Sequence, residues 1–232
     1  MNRQLPLALR YPPDQRFDTF VEAGGRGAAA QVRALAEGSG NDDKLYVAGP
    51  AGVGKTHLLL AACAHADAAG RRAAYVPLAS AKGRLRDALD AFDGHDLLAL
   101  DGLDGIAGDR GDEVALFDVH NRIADAGGAL LYAARAMPDA LPLVLPDLRS
   151  RLSQCTRIVL EALDDDGRRD VLRLRAQRRG LQMDAAAIDW LLRRVDRDLS
   201  SLTALLDTLD RASLAAQRRV TVPFLRQTLG VE

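Results

Sequence analysis

The 232-residue sequence is poor in cysteine and cannot use what it has for a metal. Cys63 and Cys155 lie far apart, without the short spacing that brings two thiolates to one ion. Cys63 sits in the apolar run LLLAACA, which predicts a small buried hydrophobe. No stretch approaches the roughly 18 consecutive apolar residues of a membrane-spanning helix. The opening MNRQLPLALR lacks the apolar core and cleavage pattern of a signal peptide, so the cytoplasm is the expected location. A net charge of -1 removes any global attraction to nucleic acid or membrane. There are no internal repeats and no low-complexity tract.

What is present is an ordinary globular composition, 48% hydrophobic and 27% charged. The chain is long enough for one large domain or a large and a small one. Charge is uneven along it. From Arg168 onward there are 13 arginines against 8 acidic residues, which either solvate helices or form a docking face for an acidic partner.

Residues 1–16 read as an extended tail closed by Tyr11-Pro12-Pro13-Asp14, because two prolines oppose helix. Apolar runs at 45–48, 73–76, 97–100, 129–133 and 158–160 predict strands. Helical periodicity fills 28–37, 57–69, 82–92, 114–126 and about 148–153. Alternation of this kind predicts a mainly parallel sheet covered on both faces. Beyond Asp164-Asp165-Asp166-Gly167 only helices are expected, at 168–179, 184–195, 199–216 and 223–229, with Asp184 as an N-cap and Pro223 near the last start. The reading is an α/β nucleotide-binding domain at 17–163 and a small helical domain at 164–232.

Gly49-Pro50-Ala51-Gly52-Val53-Gly54-Lys55-Thr56 matches the phosphate-binding P-loop at every required position, with a strand before it and a helix after it. Its glycines let backbone N–H groups turn inward around phosphate oxygens, helped by the positive end of the following helix. Lys55 supplies a cation for the terminal phosphates, and Thr56 a hydroxyl for a magnesium shell. The matching carboxylate is Asp101, which closes the apolar strand Leu97-Leu98-Ala99-Leu100. Gly102 stands where a second carboxylate would orient an attacking water, and glycine cannot accept a proton. Asp104 lies two residues further. Nucleotide binding with slow turnover is therefore expected. In Pro146-Asp147-Leu148-Arg149-Ser150-Arg151-Leu152, the two arginines point different ways on a helix: one can pair within the fold while the other faces outward. An outward arginine at a subunit edge can reach a neighbour's γ-phosphate, or can simply solvate the surface.

Together, the P-loop, Asp101, the Leu-Arg-Ser-Arg-Leu segment and the four-helix tail resemble AAA+ ATPases of the DnaA type. HLLLAACA (57–64), YVPL (75–78), Ile106-Ala107-Gly108-Asp109, FDVHNRI (117–123), LPDLRSRL (145–152) and LDRASLAAQRRVTVPF (209–224) narrow the resemblance to the Hda branch, the regulatory inactivators of DnaA. It spans almost all of 4–230. The resemblance implies an AAA+ three-layer domain and a helical lid, with ADP, or ATP, and Mg2+ at 49–56 and Asp101. It also implies docking of Gln4, Leu5, Leu7 and Leu9 on the DNA polymerase sliding clamp; on the residues alone that segment is a fraying terminus. Arg151 falls on the family's arginine finger, acting on ATP held by DnaA, with Arg149 as understudy. DNA would be met indirectly through the clamp, and a homo-oligomer is compatible. The sequence departs from the wider AAA+ pattern at Gly102, at Ala133-Ala134-Arg135 in place of a polar sensor, and at Ser200 in place of a second-sensor arginine near Arg197. These departures favour ADP. The rivals are a P-loop ATPase or kinase with its own substrate, for which no acceptor site is evident, and a DnaA-like recruiter that does not stimulate hydrolysis.

Overall fold

The computed structural model describes residues 11–12, 14–25, 27–40, 43–194, 199–216 and 219–230. The segment 4–9, with Gln4, Leu5, Leu7 and Leu9, lies outside them, as do Arg197 and the side chain of Ser200.

Five strands form one sheet: β1 (Lys44–Ala48), β2 (Ala73–Pro77), β3 (Leu97–Asp101), β4 (Ala129–Ala134) and β5 (Thr156–Val159). Their spatial order is β2-β3-β4-β1-β5, and every pairing is parallel. Because β1, β3 and β4 are interior, their residues are buried on both faces and read as unbroken apolar runs. Alternate residues go opposite ways. Leu45, Val47, Leu97, Ala99 and Leu131 pack with α1 (Ala28–Glu37) and α2 (Lys55–Ala68), whereas Tyr46, Leu98, Leu100, Leu130 and Tyr132 pack on the other face. That second face is covered by α3 (Leu85–Leu89), α4 (Arg110–Asp125) and α5 (Pro146–Ser153). Helix α2 packs against both α1 and the sheet and is apolar almost all round, so Cys63 is fully buried as expected. Burial pushes its thiol up to about 12.

Of the helix expected over 82–92, only the short α3 and a 3-10 turn at Asp90–Phe92 form, preceded by a separate 3-10 turn at Leu78–Ala81. The reason is tertiary. The buried Asp112 carboxylate, from α4, accepts the Gly83 and Leu85 N–H groups at 2.7 and 3.2 Å and sets where α3 begins. Helix α4 itself starts four residues earlier than its apolar period suggested, because Asp109 accepts the Asp112 N–H at 3.1 Å. The last strand starts two residues earlier than expected and ends one earlier: it is an edge, with Ile158 buried and Arg157 and Val159 exposed.

Four more helices follow: α6 (Asp165–Arg178), α7 (Ala185–Arg194), α8 (Leu199–Ala216) and α9 (Val222–Leu229). Asp164 caps α6 through the Gly167 N–H at 2.8 Å, which moves its start ahead of Arg168. Asp184 accepts the Ala187 N–H at 2.7 Å, as an N-cap should, and Pro223 stands in the first turn of α9. These helices enclose their own apolar cluster around Leu172, Ile188, Trp190, Leu206, Leu209 and Phe224. The cluster meets the rest of the chain through ion pairs: Arg178 with Asp18, and Arg179 with Asp14 at 2.5 Å.

Candidate nucleotide site

The P-loop joins the end of β1 to the start of α2, at the carboxyl edge of the sheet where open α/β folds place their ligands. Gly49 donates its N–H to the Ala134 carbonyl at 3.2 Å. A Cβ at Gly49 would stand 2.5 Å from the Leu160 carbonyl oxygen, so only glycine lets the loop pass this close to the segment after β5. The Lys55 ammonium donates to the Gly49 and Pro50 carbonyls at 2.6 Å each. It has three N–H groups, so one remains for a phosphate oxygen. Burial lowers the Lys55 pKa; the Asp101 and Asp104 carboxylates oppose that shift, and Arg135 adds to it.

Asp101 reaches across to α2. Its Oδ2 accepts from the Thr56 hydroxyl at 2.6 Å and from the Tyr75 hydroxyl at 2.8 Å. The expected metal pair, Thr56 and Asp101, is therefore brought into direct contact. Tyr75, in the middle of β2, is a positioning group that sequence reasoning missed. Burial, then the Asp101 charge, raises the Tyr75 pKa, so its proton stays in the bond. A hydroxyl and a carboxylate are hard oxygen donors suited to Mg2+ completed by phosphate oxygens. Among the described residues there is no cluster of three or more His, Cys, Asp or Glu that could hold a metal by itself.

Gly102 has φ +77°, in the left-handed region, and nothing lies within 4 Å of where its Cβ would stand. Backbone conformation is thus the constraint, costing another residue about 1–2 kcal/mol. Asp104 turns to Arg135: its Oδ1 accepts the Arg135 N–H at 2.9 Å, and its Oδ2 lies 3.5 Å from the Arg135 Nε.

Beside the loop, Phe20, Val21, Glu22, Ala23, Val53, Val159, Leu160 and Glu161 line a crevice. Phe20 stacks edge-on against His57, 5.4 Å between ring centres. His57 follows Thr56 and is buried; its Nε2 donates to the Arg16 carbonyl at 2.8 Å, and burial lowers its pKa. The chain that carries the crevice is thereby tied to α2.

The two arginines of α5 separate as the helical spacing predicts. Arg149 is half-buried and donates to the Leu143 carbonyl, whereas Arg151 is exposed. The start of α5 is held by Glu113, which is fully buried and accepts N–H groups of Gly108 (2.7 Å), Val144 (2.9 Å) and Leu145 (2.7 Å). Much of the basic excess in α6 is taken up internally: Arg169 pairs with Asp189 and Asp166, Arg173 with Asp170, and Arg179 with Asp207 as well as Asp14.

A parallel sheet ordered β2-β3-β4-β1-β5, a P-loop after its β1 strand, an aspartate at the end of β3 and a trailing helical lid define an AAA+ nucleotide-binding protein. Residues 12–158 match the family model of the bacterial DnaA ATPase domain, and the chain belongs to that family. Residues 165–229 match the Hda lid domain. Among solved structures, domain III of the Thermotoga maritima replication initiation protein DnaA is similar at TM-score 0.79 and 21% identity, over 95% of this chain and 97% of that one. AMPPCP-bound DnaA from Aquifex aeolicus is similar at TM-score 0.73 and 22% identity, over 88% and 67%. The Thermotoga maritima Holliday junction branch migration motor RuvB reaches TM-score 0.64 at 15% identity, over 87% and 66%. At these identities the likenesses carry the fold. Among the described residues no helix is long and apolar enough to cross a membrane.

Proposed function

We propose that this chain is a cytoplasmic regulatory adaptor that inactivates the replication initiator. In this reading it docks on the sliding clamp through Gln4, Leu5, Leu7 and Leu9. It holds ADP and Mg2+ in the cradle of Gly49, Pro50, Ala51, Gly52, Val53, Gly54, Lys55 and Thr56 with Asp101. It then presents Arg151 to ATP bound by DnaA, stimulating hydrolysis and preventing re-initiation. Residues 17–163 act as the nucleotide-binding domain and 164–232 as its lid.

The observation that carries this reading is the split between the arginines: Arg149 is anchored to Leu143, leaving Arg151 as the exposed guanidinium of α5. Glu113 supports it by fixing the backbone from which α5 springs. A guanidinium brought to a transferring phosphoryl group stabilises the charge that builds on its oxygens, an effect worth roughly 10³–10⁵ in rate. The match of 165–229 to the Hda lid favours the regulatory branch over an initiator. When bound, Mg2+ would neutralise phosphate charge. The chain's own part is to orient it: Thr56 and Tyr75 fix Oδ2 of Asp101, leaving the other carboxylate oxygen for the ion or its water. With glycine at 102, no carboxylate stands there to activate a water, so turnover by the chain alone is slow.

Hydrolysis of DnaA-bound ATP in the presence of DNA-loaded clamp tests this. The parent chain is expected to stimulate it, and Arg151→Ala to lose that stimulation by at least a hundredfold while retaining clamp binding. Full stimulation by Arg151→Ala overturns the assignment. A second reading, a DnaA-like ATPase or recruiter with its own nucleotide cycle, is favoured by the complete P-loop and its Thr56–Asp101 contact. Brisk ATP turnover by the isolated chain would select it.

A further inference from the structure

Four charged side chains meet at the carboxyl edge of the sheet: Lys55 and Arg135 against Asp101 and Asp104. The strand register explains why. Ala48 pairs with Ala134 across β1 and β4, and Asp101 with Ala133 across β3 and β4. Arg135 therefore follows the residue whose carbonyl receives the Gly49 N–H, at the mouth of the phosphate loop. Asp104 arrives from the turn after Asp101 and grips Arg135 twice, at its backbone N–H and its guanidinium. Lys55 feels both: the charge of Asp104 raises its proton affinity and that of Arg135 lowers it.

Lys55 and Asp101 already have roles in the cradle, one toward phosphate and one toward the metal. Arg135 is the additional cation at this edge, with its side chain 71% exposed, and Asp104 is its neutraliser. A nucleoside triphosphate differs from a diphosphate by one phosphoryl group and its extra negative charge. At this edge that charge meets a balanced pair rather than a free guanidinium. We propose that the Asp104–Arg135 pair sets the preference of the site for a nucleoside diphosphate over a triphosphate. The inference rests on the nucleotide-binding reading above and supplies the residues that discriminate. Asp104 withholds the attraction that Arg135 would otherwise exert on a terminal phosphate.

The pair predicts opposite signs for its two halves. Asp104→Asn keeps an oxygen to accept the Arg135 N–H but removes the charge, releasing the guanidinium. Arg135→Ala leaves the carboxylate uncompensated. Equilibrium binding is measured in Mg2+ by displacing a fluorescent ADP with ADP or with a non-hydrolysable ATP analogue. The ratio of the two affinities within one variant is the readout, so differences in folded fraction cancel. Asp104→Asn is expected to move the ratio roughly fivefold toward the triphosphate, the scale of a partly exposed ion pair, and Arg135→Ala by a similar factor toward the diphosphate. The double variant should return close to the parent. Ratios that stay at the parent value, or that move the same way in both single variants, overturn the proposal while leaving nucleotide binding standing. A parent chain that retains neither nucleotide removes this inference and the reading beneath it together.

Discussion

Side chains of β1, β3 and β4 are buried on both faces between two layers of helices, whereas the lid closes a smaller cluster of its own and joins the sheet domain through arginine–aspartate pairs. The two regions therefore answer to different agents. Apolar burial resists salt, but exposed ion pairs are screened once the Debye length falls from about 10 Å at 0.1 M to about 3 Å at 1 M.

The comparison breaks most plainly with Leu98→Ala. Leu98 is fully buried beneath α3 and α4, and its truncation is expected to cost about 2–5 kcal/mol in a urea titration. A loss below about 1 kcal/mol would mean the sheet core is not the principal support.

Acid sharpens the comparison next. His120 is buried with its Nδ1 2.9 Å from the Tyr132 hydroxyl; burial first, then the Lys44 and Arg151 cations, hold its pKa down to about 4. The unfolded imidazole titrates near the ordinary value of about 6.5, so as pH falls the unfolded chain takes up the proton first. This contribution to stability is complete above that value and is lost progressively down to about 4. The loss should reach about 3 kcal/mol. Urea midpoints compared at neutral and acid pH should converge partly in His120→Gln; an undiminished pH slope in that variant would reject the assignment.

The smallest effect belongs to the joint. Arg178→Ala removes the contact with Asp18, a pair exposed on both sides, and should cost about 0–1 kcal/mol. The difference from the parent should vanish in 1 M salt. A larger, salt-independent loss would place apolar packing at the joint after all.

Part of this was legible in the residues. The P-loop is contiguous, so its eight positions announce the cradle, and Asp101 is announced by the apolar run before it. Asp184 and Pro223 marked helix starts correctly because capping is local. The helix expected at 82–92 failed because its start is fixed by Asp112, a residue of another helix. Tyr75 and the crevice between Phe20 and Val159 went unread for the same reason: their partners are distant in the chain.

By itself, then, the order of residues determined the P-loop motif, the two-sided sheet and the helical tail, since each depends on neighbours a few positions apart. Only the tertiary structure decided that Asp104 would hold Arg135, that Arg149 would turn inward while Arg151 stayed exposed, and that the lid would rest on aspartates of the segment preceding α1. Those outcomes depend on strand register and helix docking, which bring together charges separated by tens of residues and settle which of them meet.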